Sequence, residues 1–275
     1  MHLVQDLLLL LLLSITLVEC RTIKELVNET SEEIDNNIDQ DYFTVSAIIE
    51  RANKNVGKLN RGFTIVDGDI AVNTGLQNAD PCTSRKCKWP RGKKRKVYVP
   101  YVISRQYSPS EIDVIKRGLK SFTESTCIRF IRRTNEEDYI HIISETGCHS
   151  YLGRIGGKQV LSLERNACVY FKTIQHELLH ALGFNHEQKR SDRDKHVKIL
   201  YENIKPGKEH NFKKINTNNL NTPYDYNSVM HYSRCAFSKN SKPTIVPIPN
   251  ENVSIGRAEK MSKNDILRVN RLYCR

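Results

Sequence analysis

The 275-residue sequence has only one long hydrophobic run, and it lies at the very start. Leu7 to Leu13 is unbroken leucine, extended by Ser14-Ile15-Thr16-Leu17-Val18. This core is too short for a comfortable membrane span and suits a secretory signal peptide. No later segment approaches transmembrane length, so stable membrane insertion is excluded and an exported, soluble chain is expected. The leader also lacks a basic n-region, with only His2 and Asp6 ahead of the leucines to carry charge. Val18-Glu19-Cys20 still places suitable residues at −3 and −1, so cleavage after Cys20 is expected.

Acidic side chains are scarce too. Against 43 Lys and Arg stand 31 Asp and Glu, a net charge of +12. The deficit is uneven. Residues 1–77 hold 6 basic and 12 acidic residues, a net of −6, which leaves 37 basic and 19 acidic in the rest, a net of +18. An acidic leader before a basic body suggests a pro segment that docks on its own chain. Export makes nucleic acid an improbable partner in spite of the charge. The densest basic stretch, Arg85 to Lys96, has eight Lys or Arg in twelve residues. It is either a solvated surface strand or a patch that adheres to an acidic matrix, glycan or membrane surface.

Cysteine is not lacking. Eight are present, and loss of Cys20 with the leader leaves seven, an odd number for an oxidising compartment. Spacing alone does not give their connectivity.

The most informative stretch is His176-Glu177-Leu178-Leu179-His180-Ala181-Leu182-Gly183-Phe184-Asn185-His186. His176 and His180, four apart, present both imidazoles on one helical face. Glu177 is adjacent, placed to take a proton from metal-bound water. Gly183 lets the chain leave the helix sharply, because glycine accepts left-handed torsions. The turn brings His186 back as a third ligand. Three nitrogens leave a zinc coordination position open for water, the arrangement of a catalytic site. A bare His-Glu-x-x-His is common on helices, but the glycine and third histidine at fixed offsets make coincidence improbable. Met230, within Ser228-Val229-Met230-His231-Tyr232, lies 44 residues after His186. The eleven-residue pattern with a later methionine turn is the metzincin signature.

The run His176 to His186 with Glu187, Arg190, Asp192, Arg193, Asp194 and Ser228 to Tyr232 resembles the astacin family of zinc endopeptidases. The resemblance extends from about Asn78 to the C-terminus. Asn78-Ala79-Asp80-Pro81-Cys82, Cys87-Lys88-Trp89-Pro90 and Asn221-Thr222-Pro223-Tyr224-Asp225-Tyr226 resemble its six-cysteine fish branch, which includes hatching enzymes (choriolysins) and nephrosin-like proteases. The resemblance implies one zinc held by His176, His180 and His186, with Glu177 as general base, Tyr232 as oxyanion donor and Met230 in the turn beneath the metal. It implies the disulfides Cys82–Cys87, Cys127–Cys274 and Cys148–Cys168. Cys235 is then left as a buried free thiol or an intermolecular link. It also implies a pro segment whose aspartate occupies the open metal position. Asp69, in Asp67-Gly68-Asp69, matches that aspartate, and a plain Asp-Gly turn is the alternative. By the same resemblance the mature chain starts at Asn78 and its new N-terminus meets Glu187. Gln77 is neutral where many relatives carry a basic residue, so the activating protease is not trypsin-like or the first cut falls elsewhere.

The expected domains are 1–20 signal peptide, 21–77 pro segment and 78–275 peptidase domain. Within the pro segment Val45 to Ala52 suggests a helix. Val97–Val99 and Tyr101–Ile103 have strand composition. Ser108-Pro109-Ser110-Glu111 is a capping box before Ile112, Ile115, Leu119 and Phe122, which mark an amphipathic helix. Short strands are expected at Cys127–Ile131, Tyr139–Ile143 and Gln159–Leu163, and the metal helix from about Tyr170 to Leu182. Ser262 to Asp265 caps a last helix that ends near Leu272. The strand after Gly156-Gly157-Lys158 is, by resemblance, the edge that pairs with substrate backbone. This gives an α+β enzyme of two lobes with zinc in the cleft. His141, His149, His196 and His210 lack ligand spacing, and His231, beside Met230, is expected to be structural. Asn28 and Asn252 lie in glycosylation sequons. The expected partners are extracellular protein substrates and an activating protease, and the expected form is a monomer. Egg-envelope proteins are one substrate class. A tissue or defence protease of nephrosin type is the alternative, toward which Leu178-Leu179 leans, and a catalytically dead matrix-binding protein is a third.

Overall fold

A computed structural model describes residues 41–58, 62–73, 87–92 and 95–274. The expected signal peptide, Asn28, the Gln77–Asn78 junction and Cys82 lie outside the described residues. The helices are α1 (Val45–Ala52), α2 (Pro109–Ser125), α3 (Phe171–Ala181) and α4 (Lys263–Val269). The strands are β1 (Phe63–Val66), β2 (Ile70–Asn73), β3 (Val97–Ile103), β4 (Ile128–Arg132), β5 (Tyr139–Ile143), β6 (Cys148–Tyr151), β7 (Lys158–Leu163), β8 (Val197–Ile199) and β9 (Ile245–Pro247).

Strands β1 to β7 form one mixed sheet in the order β1-β2-β6-β7-β5-β3-β4. Helices α2 and α3 share its core. α2 starts as its sequence dictates: Ser108 Oγ accepts from Glu111 N–H at 3.3 Å, and Glu111 Oε2 accepts from Ser108 N–H at 2.7 Å. Its Ile115, Leu119 and Phe122 are buried. The two helices approach closely at Gly118, where a Cβ would lie 2.4 Å from Ile174 Cγ2. Only glycine permits that spacing.

The sheet departs from expectation in two places. β3 runs unbroken through Pro100. Val97 N–H donates to Cys127 O and Tyr101 O accepts from Arg133 N–H, both on the β4 side. Pro100 therefore points toward β5, whose pairing starts only at Tyr101, so the missing N–H breaks no ladder bond. The second departure is a correction. β7, the strand after Gly156-Gly157, lies inside the sheet between β5 and β6. Gly156 (φ 88°) and Gly157 (φ 63°) return the chain into an antiparallel β6–β7 pair. The edge of the body is β6. It is covered by β2, in parallel register, with Ile70 opposite Ser150 and Ala71 opposite Tyr151.

Beneath the sheet and α3 the chain is loop-rich, with a second apolar cluster of Phe212, Tyr232, Phe237 and Ile245. Cys127–Cys274 ties the C-terminus to the start of β4, and Cys148–Cys168 ties β6 to the loop before α3. Cys235 is disulfide-bonded, to a partner outside the described residues, which corrects the free-thiol expectation. Of the basic stretch, Trp89 is buried, and its indole N–H donates to Ala181 O at 2.9 Å. That carbonyl is one of the orphans of the α3 C-terminus, so the stretch is anchored at its middle behind the metal helix.

Candidate metal centre

α3 is buried from Lys172 to Ala181, which fixes the side chains it carries. At its end Gly183 takes φ 94°, Phe184 N–H donates to Leu179 O at 3.0 Å, and the turn brings His186 against the helix. The nitrogens then converge. His176 Nε2 lies 3.1 Å from His180 Nε2. Asp69, from the β1–β2 turn, enters the same point. Its carboxylate is 3.0 Å from His176 Nε2 and 3.3 Å from the Nε2 atoms of His180 and His186. The donor atoms of all four residues lie within 4.8 Å of one another, and all four residues are buried.

The outer nitrogens identify what this cluster holds. His176 Nδ1 sits 2.8 Å from Val229 O and His180 Nδ1 sits 2.8 Å from Phe184 O. A carbonyl only accepts, so both Nδ1 atoms carry hydrogen and both Nε2 atoms present lone pairs inward. Bare lone pairs 3.1 Å apart beside a buried carboxylate repel unless a cation lies among them. Three imidazoles and a carboxylate suit Zn2+.

Glu177 is fully buried, and neither carboxylate oxygen has a hydrogen-bond partner among the described residues. Burial, and then the Asp69 charge, push its carboxyl well above the ordinary range. A buried carboxyl without partners beside a metal cluster has the character of a proton carrier, because nothing else compensates its desolvation. Tyr232 is buried against the His186 ring, with centroids 4.6 Å apart, and its hydroxyl donates to Asp67 O at 2.6 Å. The β1–β2 turn therefore engages the metal cluster through Asp69 and the phenol through Asp67. Gly68 between them must be glycine, since it takes φ 91° and a Cβ there would sit 2.8 Å from the Tyr232 hydroxyl.

Met230 is buried in the main core, and its carbonyl accepts from Glu187 N–H at 3.0 Å. Glu187 is buried and already well partnered. Arg268 donates to both of its oxygens at 2.5 and 2.8 Å, Asp225 N–H to Oε1 at 2.8 Å, and Arg190 to Oε1 at 3.3 Å. Asn78, the expected partner of Glu187 in the mature chain, lies outside the described residues. Asn252 is exposed. His231 bridges Tyr224 Oη at 2.8 Å and Tyr232 O at 2.7 Å, a structural role. Sequence reasoning missed Lys189, whose buried ammonium pairs with Asp67, and Arg268, which lies 81 residues from Glu187. Neither carries a local motif.

The sequence profile of the astacin peptidase family matches residues 83–274. High choriolytic enzyme 1 of Oryzias latipes is 49% identical over 237 residues, covering 86% of each chain. Low choriolytic enzyme of the same fish is 47% identical over 269 residues, covering 97% of this chain and 96% of its own. The solved structure of high choriolytic enzyme 1, described as a hatching enzyme zinc-protease from medaka, superposes with a TM-score of 0.69 at 55% identity, over 72% of this chain and 100% of that one.

Proposed function

Since the chain belongs to the astacin family of metalloendopeptidases, we propose that it is a secreted zinc endopeptidase made as a zymogen. Residues 1–20 are the signal peptide, 21–77 the pro segment and 78–275 the catalytic domain, which acts as a monomer on extracellular proteins. One observation carries the reading: the Asp69 carboxylate lies 3.0–3.3 Å from all three imidazole Nε2 atoms, where an attacking water belongs.

His176, His180 and His186 would hold a zinc ion, which would supply Lewis acidity at the site. Glu177 would accept the proton of the attacking water and deliver it to the leaving amine. Tyr232, released from Asp67 O, donates to the developing oxyanion. The β6 edge, vacated by β2, pairs with the backbone of an extended substrate. Activation removes all three obstructions together, because Asp69, Asp67 and β2 belong to one short segment.

The substrate class we propose is egg-envelope protein, supported by the similarity to high and low choriolytic enzymes over most of both chains. The Leu178-Leu179 pair favours the second reading, a tissue or defence protease of nephrosin type. The test is digestion by the processed chain of isolated fish egg envelopes beside serum and matrix proteins. Swelling and release of envelope peptides at rates well above the other proteins supports the first reading, and the reverse order overturns it.

A further inference from the structure

Two loops reach the metal centre from different parts of the chain, one carrying His186 and one the carbonyl that orients His176, and both are fastened to α4. Asp265 accepts from Ser228 Oγ at 2.6 Å and Val229 N–H at 3.0 Å. Val229 O is the acceptor that orients His176. One turn later, Arg268 grips both oxygens of Glu187, next to His186, and also donates to Thr222 Oγ1 at 2.9 Å and Pro223 O at 3.0 Å. Arg268 and Asp265 are themselves 3.8 Å apart. The three ligands are not equally secured. His176 and His180 each have a carbonyl on Nδ1, whereas His186 Nδ1 has no hydrogen-bond partner among the described residues. The position of His186 is therefore set by its loop, and the loop by Glu187.

We propose that Arg268 is a positioning residue for the metal site: it holds the His186 loop through Glu187, while Asp265 holds the His176 side through Val229. The assignment rests on the zinc-enzyme reading above and extends it to residues that touch neither metal nor substrate. A buried ion pair is weak support for stability, since apolar replacements of equal volume are often neutral. It is well suited to holding a loop in one place, because a bidentate guanidinium fixes direction as well as distance. The grip is complete while the pro segment is still in place, so the site is formed before activation.

The test is zinc release from the full-length chain into a chromophoric chelator, with kcat and KM measured after processing. Arg268→Met keeps volume and removes the grip. Release should speed up by about 10- to 100-fold, the usual cost of losing an outer-shell partner. In the processed form kcat should fall with KM little changed, and Arg268→Lys should restore only part of either value. Ile266→Ala, on the same helix and packed against the core, is the control for simple loosening. At a matched drop in Tm it should release zinc at the parental rate. If Arg268→Met fails to fold, the near-isosteric Asp265→Asn should show the same acceleration through His176. Parental release from these variants, or equal acceleration in Ile266→Ala, overturns the assignment. A parent chain that binds no zinc would refute the zinc reading itself, and the assignment with it.

Discussion

Replacing Asp69 by Ala should turn a silent zymogen into a leaky one without freeing it fully. The carboxylate is almost entirely buried and touches all three imidazoles. Breaking a buried charged contact by removing one partner costs about 3–5 kcal/mol. At about 1.4 kcal/mol per tenfold, the open fraction should rise by roughly two to three and a half decades. The rest of the pro segment stays attached. Val45, Ile48 and Ile49 of α1 are 2–3% exposed against the main core. At about 1.5–3 kcal/mol each, they contribute roughly 5–9 kcal/mol of apolar burial. Asp67 still pairs with Lys189, Glu50 still bonds Lys205 at 2.6 Å and Phe237 N–H at 2.8 Å, and Asn53 still donates to Cys148 O at 2.7 Å. The assay is cleavage of a quenched fluorescent peptide, with the chain shown intact by mass spectrometry at the end. Activity should lie at least a hundredfold above the parent proenzyme and clearly below the processed chain. Latency equal to the parent would refute the aspartate switch, and full activity would refute the remaining ties.

Three further outcomes follow from the same geometry. Glu177→Gln should keep zinc and lose about 10²-fold or more of kcat, and near-normal turnover would remove Glu177 as the base. His231 is buried, and burial lowers its pKa to about 4. The unfolded chain, with a pKa near 6.5, therefore takes up the proton first, so this contribution is present above about pH 6.5 and is lost as the pH falls toward 4, roughly 3 kcal/mol in all. Urea unfolding of the parent and His231→Gln between pH 4 and 7 should show a shallower pH dependence in the variant, by about that amount. Cys235 should resist thiol labelling in both native and denatured unreduced protein, and a labelled Cys235 would contradict the disulfide.

The parts of this molecule that are local in sequence were legible in it. The metal motif occupies eleven residues, and α2 announces itself by its capping box and the spacing of its apolar residues. The α+β class followed from elements of that kind. Long-range pairings were not legible. Nothing in the composition of β7 says that β6 will take its place at the edge, since the order of strands depends on the turn at Gly156-Gly157. Asp265 was visible only as the third residue of a helix, although the same carboxylate also holds Ser228 and Val229. Arg268 on Glu187 and Lys189 on Asp67 join segments that carry no shared period or motif. Val97–Val99 and Tyr101–Ile103 join into one strand across Pro100, because β5 pairs with β3 only from Tyr101 onward.

The central claim is that His176, His180 and His186 hold a catalytic zinc that Asp69 blocks until the pro segment leaves. The most direct measurement follows zinc content and peptidase activity together in the processed chain during removal of the metal by a chelator and its return. Activity should fall in proportion to zinc and recover fully at one equivalent per chain, while the full-length chain, equally loaded with zinc, stays silent. Peptidase activity that persists in zinc-free protein, or a zinc-loaded full-length chain as active as the processed one, would contradict it.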